Sequence, residues 1–321
     1  MKFLSKFRIL LVALIVFFGT ISPTLSAFSF RDSSLKFVHV TDTHISDRED
    51  TSYKMLSQSK NLLIDFIKKV NKIQSVDFVI FTGDMVDRPQ LNSYKDFFTI
   101  LTALKYPSLM TFGNHDAAFL GSENEEYLTE EQVLRIISDC NPNQKFDKAY
   151  WALTPKVNFR MIVLNLRTEE KSSNGVISKD QLEFLAGELE ANKDKVVLIF
   201  AHHPVVEPFQ SDTHNILNSN EIMALLQQYK NPIAYFSGHY HTTKITKTDN
   251  LIFVSTPALV TYPNAFRVVN VTDYKDRTIF DFYFSETGLK DVQAQAKANA
   301  IATATFYGTE KDRATTIIIK K

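Results

Sequence analysis

Five times along this chain a short apolar run stops at a cluster of polar side chains able to bind metal. The clusters are Asp42-Thr43-His44, Gly83-Asp84 with Asp87, Gly113-Asn114-His115-Asp116, His202-His203 and Gly238-His239-Tyr240-His241. The runs before them, 35–41, 76–81, 108–112, 195–200 and 233–236, are rich in β-branched and aromatic residues. They are too short for helices and read as buried strands. Between them lie helix-like stretches. In the first, Leu56, Leu62, Leu63, Phe66, Ile67 and Val70 share one broad face. Others are expected at 92–104, 178–193 and 220–229. Alternating strands and helices make an α/β sheet, and ligands of open α/β sheets bind outside the carboxyl ends of the strands. The five clusters all stand at such ends.

Residues 117–150 depart from this rhythm. They are acidic from Glu123 to Glu131 and carry a turn at Asn141-Pro142-Asn143. One helix is expected there, at 129–138, opened by a capping box of Thr129 and Gln132. A second capping box is expected at Ser178 and Gln181. A strand is expected at 159–166 and short hairpin strands at 245–248, 251–255, 266–271 and 278–284. One Ala- and Gln-rich helix should cover 288–305, and Ile317-Ile318-Ile319 suggests a final strand. The chain shows no internal repeat and no low-complexity linker, so one domain over 28–321 is expected.

The first 27 residues read as a secretory signal peptide. Lys2, Lys6 and Arg8 precede an unbroken apolar run over 9–18, and Leu25-Ser26-Ala27 offers a cleavage point. The run is shorter than the roughly 20 residues of a membrane span. A mature protein starting near Phe28 is expected outside the cytoplasm, secreted or periplasmic, with no stable membrane span. The alternative is an uncleaved anchor helix. Lys and Arg number 36 and so do Asp and Glu, so no basic footprint invites nucleic acid or an anionic membrane. The single cysteine, Cys140, can form no intramolecular disulfide and is expected to be partly buried. Metal chemistry would therefore use His, Asp and Asn. Residues two apart on an extended segment point the same way, which would aim Asp42 with His44, and His239 with His241, at one place. Imidazole and carboxylate donors suit zinc, iron and manganese.

In this arrangement the chain resembles the calcineurin-like metallophosphoesterase superfamily. The pattern is Asp-x-His, Gly-Asp-x-x-Asp, Gly-Asn-His-Asp, a lone His and Gly-His-x-His, all in order between Asp42 and His241. The segments Ala201-His202-His203-Pro204, Ser255-Thr256-Pro257 and Tyr262-Pro263 look most like the branch of the cyclic-nucleotide phosphodiesterases. The resemblance implies a four-layer α/β/β/α sandwich of two mixed sheets. It implies two divalent ions, manganese, iron or zinc. Asp42, His44 and His241 would hold the first, Asn114, His202 and His239 the second, and Asp84 would bridge them.

The implied reaction is phosphoester hydrolysis by attack of a metal-bridging hydroxide, with His115 assisting the leaving group and Asp116 orienting His115 and keeping it protonated. Arg88 and His203 are candidates for contact with the substrate. Pro89 stands where protein phosphatases of this superfamily have glycine. The expected substrate is a small phosphodiester, such as a cyclic nucleotide. A broad phosphomonoesterase is the alternative within the class, and a catalytically silent secreted binding or scaffold protein is the alternative outside it. About 80 residues after His241 are too few for the large extra domain of the 5′-nucleotidase branch. Asp87 stands where purple acid phosphatases have a metal-binding tyrosine. His39, His214 and the sequon Asn270-Val271-Thr272 are read as structural or incidental.

Overall fold

The computed structural model describes residues 33–122, 124 and 126–321. The signal peptide expected at 1–27, its cleavage point and the start near Phe28 lie outside these residues. Two six-stranded sheets are present among the described residues. The first runs β12-β11-β10-β1-β2-β3, built from β1 (Ser33–Val40), β2 (Phe78–Thr82), β3 (Ser108–Thr111), β10 (Ala265–Asp273), β11 (Arg277–Glu286) and β12 (Thr315–Lys320). The second runs β4-β5-β6-β7-β9-β8, built from β4 (Trp151–Lys156), β5 (Phe159–Val163), β6 (Val196–Phe200), β7 (Ile233–Ser237), β8 (Lys244–Thr248) and β9 (Leu251–Ser255). Both are mixed. Strand β1 pairs parallel with β2 and antiparallel with β10, while β5, β6, β7 and β9 run parallel.

The period-2 geometry of a strand sorts side chains into layers. Along β1, Leu35 and Phe37 enter the layer between the sheets, and Val38 and Val40 face the outer helices. Rings fill the middle. Phe37 meets Phe200 and Phe236 edge-on, with centroids 5.5 and 5.2 Å apart. Outside the first sheet lie α1 (Ser59–Val70), α2 (Leu91–Leu101) and α3 (Glu130–Cys140). On α1 the buried residues Leu62, Leu63, Phe66, Ile67 and Val70 recur at helical spacing. Each contributes about 1.5–3 kcal/mol by burial. Outside the second sheet, α4 (Lys179–Ala191) and α5 (Ser219–Leu226) bury Leu185, Leu189, Ile222 and Leu226. The result is the expected four-layer sandwich.

His39 is fully buried in the middle layer, bonded through Nε2 to Thr82 Oγ1 (2.7 Å) and through Nδ1 to Thr256 Oγ1 (2.8 Å). Burial, with the nearby Arg267 charge, lowers its pKa to about 3. It is a neutral structural histidine, as expected.

Several local expectations are corrected. Strand β4 went unread because Pro155 interrupts it. It survives as an edge strand, with a register shift between Leu153 and Lys156. The Thr129–Gln132 capping box forms in full. At Ser178 only half forms, because the Gln181 side chain instead bonds the Asn165 backbone N–H (2.9 Å) and carbonyl (2.6 Å). The helix expected over 288–305 is broken at Ala300, whose backbone is extended. It becomes α6 (Lys290–Asn299) and α7 (Thr303–Tyr307), followed by α8 (Glu310–Arg313). The break lets the Phe306 carbonyl accept from Thr243 Oγ1 (2.7 Å). Cys140 is exposed, at the end of α3.

Candidate metal centre

The loops after β1, β2, β3, β6 and β7 converge at one edge of the sandwich. Their ligands do not sit on extended backbone as expected. Asp42, His44, Asp84, His239 and His241 all have positive φ, between 41° and 68°. Left-handed backbone costs a non-glycine residue roughly 1–2 kcal/mol, so neighbours must hold it. Asp42 N–H donates to the Gly83 carbonyl (3.1 Å), His44 N–H to the Asp84 carbonyl (2.9 Å), and Gly238 N–H to the His202 carbonyl (3.0 Å). A Cβ on Gly113 would collide with Asp84 Oδ1, and one on Gly238 would collide with Thr41 Oγ1 and Asp42 Oδ2. The glycines of the motifs are there for close approach.

The turns deliver two donor sets. In the first, His241 Nε2 lies 3.1 Å from Asp42 Oδ1, and His44 Nε2 lies 3.8 Å from the same oxygen. In the second, His202 Nε2 lies 3.3 Å from Asp84 Oδ2 and 3.1 Å from His239 Nδ1. Asp84 Oδ2 is also 3.4 Å from His44 Nε2, so one carboxylate faces both sets. Asn114 Oδ1 and Asp42 Oδ1 are buried and accept no hydrogen bond among the described residues. Orphaned buried oxygens beside convergent imidazoles fit a pair of cations. Asp42, His44 and His241, and Asp84, His202 and His239, each bring ligand atoms within 4.8 Å of one another. Six of the seven predicted ligands thus fall into these two sets, and the seventh, Asn114, follows β3 with its Oδ1 buried.

Further contacts aim the ligands. His202 Nδ1 lies 2.8 Å from the Thr82 carbonyl, which leaves Nε2 toward the centre. His44 Nδ1 faces Asp87 Oδ1 at 3.6 Å, and Arg48 grips the other Asp87 oxygen at 2.6 Å. Partners of this kind fix ring orientation. Burial pushes the Asp84 carboxyl up, but His202, His115 and His44 outweigh it and hold it well below the usual range. Burial works against charge on His202, but Asp84 and Asp42 raise its pKa to about 9. A cation at Nε2 would take the place of that proton.

The other predicted residues divide. His115 N–H donates to Asp84 Oδ1 (3.0 Å), and its Nδ1 lies 2.8 Å from the Asp87 carbonyl. Burial lowers its pKa to about 4. Asp116 does not orient it. The Asp116 oxygens accept from the backbone N–H groups of Met85 (2.8 Å), Val86 (3.3 Å) and Gly113 (2.7 Å). Asp116 therefore ties the β2 and β3 loops together, and the Asp87 carbonyl holds His115. Burial and the Asp84 charge raise Asp116 to about 7. His203 is fully buried. It packs behind His239, ring centroids 4.3 Å apart, with Nε2 3.2 Å from the Ser173 carbonyl. Arg88 is exposed and lines a cleft beside His115.

Sequence reasoning missed Lys54, whose Nζ lies 3.2 Å from His44 Nε2, and Arg48. Both sit in an irregular loop that carries no periodic signal. It also left aside His214, whose ring centroid is 5.1 Å from that of His239.

The model of the calcineurin-like phosphoesterase family matches residues 35–243. The chain is 31% identical to a "Probable glycerophosphodiester phosphodiesterase" of Arcobacter nitrofigilis over 68% of this chain and 76% of that one. It is 24% identical to a "Probable cyclic nucleotide phosphodiesterase" of Xenorhabdus bovienii over 70% of this chain and 86% of that one. Among solved structures, a dimetal phosphatase from Danio rerio shares the fold with a TM-score of 0.60 at 18% identity, over 77% of this chain and 95% of that one. Five motifs in order, two donor sets joined at Asp84 and the family match over 35–243 agree. The chain belongs to the calcineurin-like phosphoesterase family and is a hydrolase of phosphate esters.

Proposed function

We propose that the protein hydrolyses small phosphodiesters, of the glycerophosphodiester or cyclic-nucleotide kind, with two divalent ions of manganese, iron or zinc. The observation that carries this is the pair of buried donor sets sharing Asp84. The phosphodiesterase names of the relatives in Arcobacter nitrofigilis and Xenorhabdus bovienii support the choice of diester. Asp42, His44, His241 and Asp84 would hold one ion; Asp84, Asn114, His202 and His239 the other. When bound, the ions supply Lewis acidity toward phosphoryl oxygens and make water acidic enough to react near neutral pH.

The remaining work falls to the chain. Asp84 fixes the His115 backbone, and the Asp87 carbonyl accepts a hydrogen bond from Nδ1–H. Nε2 is thereby free to face the departing group in the cleft that His115 lines. One P–O bond forms to the water oxygen, the ester P–O bond breaks, and the proton lost by water ends on the leaving alcohol by way of Nε2. A phosphomonoesterase reading draws on one observation: the Lys54 ammonium, beside His44, adds positive charge that favours a dianionic phosphoryl group. The reaction is proposed to occur outside the cytoplasm, on the strength of residues 1–27. An N-terminal sequence starting near Phe28 would support that location.

The test is turnover of bis-p-nitrophenyl and p-nitrophenyl phosphate by protein loaded with each metal in turn. The diester should be the better substrate, and chelation should abolish activity. Protein that holds metal but turns over neither ester would defeat the proposal.

A further inference from the structure

Past His115 and Asn114 the centre opens into a cleft of about 470 Å³. Among the described residues, its charged lining is Arg48, Arg88, Lys171 and Asp87. Asp87 is already matched by Arg48, at 2.6 Å. Arg88 and Lys171 are exposed and form no ion pair among the described residues. The cleft therefore presents two cations that have no ion-pair partner among the described residues to whatever leaves past His115. Phe119 and Tyr127, both half-buried, supply ring surface in the same lining.

The walls are fixed before anything binds. The Arg167 guanidinium donates to the carbonyls of Ala117 (3.1 Å) and Ala118 (2.8 Å) on one wall and lies 3.2 Å from Glu130. Leu120 N–H donates to the Glu169 carbonyl (2.7 Å), which joins that wall to the segment carrying Lys171. Two residues further on, the Ser173 carbonyl is held by His203 Nε2 (3.2 Å). A cleft with a fixed backbone and two cationic side chains at its lining favours an anionic group and repels a quaternary ammonium.

We infer that the half of the diester leaving past His115 carries a second anionic group, a carboxylate or phosphate, which Arg88 and Lys171 read, on a body that packs against Phe119 and Tyr127. This rests on the phosphodiesterase reading above and narrows it to open diesters, since opening a cyclic diester releases no separate half. The specificity then belongs to the leaving group, not to the phosphorus that is attacked.

The experiment compares bis(4-carboxyphenyl) phosphate with bis(4-carbamoylphenyl) phosphate on the metal-loaded full chain. The two esters match in shape, and the amide is no worse a leaving group, so chemistry alone gives the carboxylate no advantage. The carboxylate ester should show a kcat/KM higher by about tenfold or more, the scale of one charge-assisted hydrogen bond, and the ratio should shrink with salt. Arg88→Met with Lys171→Met should bring the ratio close to one, and Arg88→Lys with Lys171→Arg should retain most of it. If only bis-p-nitrophenyl phosphate is turned over, the same ratio is required of the two inhibition constants. Equal treatment of the two esters, or a ratio indifferent to both double substitutions, overturns the inference while leaving the phosphodiesterase standing. No turnover of any of the three diesters removes the reading beneath it as well.

Discussion

On the proposed assignment, the first half-site would offer a cation two carboxylates, Asp42 and the shared Asp84, whereas the second would offer Asp84 and the neutral amide of Asn114. Their surroundings differ in the opposite sense. Around the first stand charges, with Lys54 3.2 Å from His44 and the Arg48–Asp87 pair behind the same ring. Around the second stands packing. His202 is pinned to the Thr82 carbonyl, and His203 lies against His239 with its own carbonyl bonded to Tyr235 Oη (2.9 Å). Both sets feel the Asp42 and Asp84 charges, but only the first has the Lys54 and Arg48 side chains close by. A change to those side chains should move the first set more than the second.

The largest expected effect comes from the residue that belongs to both. Asp84→Ala should cost activity a factor on the order of 10³ or more, beyond the loss of a single pre-organised electrostatic partner. It should also lower the content of both ions by elemental analysis. Asp42→Ala and Asn114→Ala should instead each lose about one equivalent. If either single change empties both half-sites, the comparison collapses into one cooperative centre. Next comes Asp87→Asn, which loosens His44 without removing a donor. It should weaken the first ion by about 10–100-fold, the usual scale for such supporting partners, and leave the second ion in place. Equal weakening of both would show that Asp87 acts through the overall field.

A pH experiment addresses the layer under both half-sites. The folded pKa of His39, about 3, lies below the ordinary 6.5, so between those values the unfolded chain binds a proton that the folded protein refuses. Its contribution is full above about pH 6.5 and is lost as pH falls toward about 3. Between pH 7 and 5 the wild type should lose about 2 kcal/mol more stability than His39→Gln, measured by urea unfolding. Parallel losses would mean that His39 is protonated in the fold. The smallest effect is expected from Lys54→Met, which should tighten the first ion severalfold by removing a like charge. No change there would remove the electrostatic half of the comparison.

The strands that carry the centre were legible because their apolar runs are short and each ends in its own ligands, so that motif and element coincide. Edge strand β4 was not, since Pro155 breaks the alternation a reader looks for. The convergence of the candidate donors was legible for the same reason of local order, but the way they are held was not. Left-handed backbone at Asp42 or His241 leaves no compositional trace when neither residue is glycine. The role of Asp116 failed on distance in space. Adjacency to His115 suggested a partnership, yet its carboxylate is used by backbone groups at Met85, Val86 and Gly113. Lys54 reaches the site from a loop whose course depends on contacts no periodicity encodes.

Each half-site takes donors from both sheets. Asp42 and His44 follow β1 while His241 follows β7; Asn114 follows β3 while His202 and His239 follow β6 and β7. A slip of one sheet over the other by a single residue is about 3.3 Å, as large as the 3.3 Å from His202 to Asp84. If the proposed pair of ions binds, ion content would act as a vernier for the alignment of the two sheets. Sheets that had each formed but docked out of step would then hold no pair of ions, and metal uptake during refolding would be expected to follow the docking of the sheets.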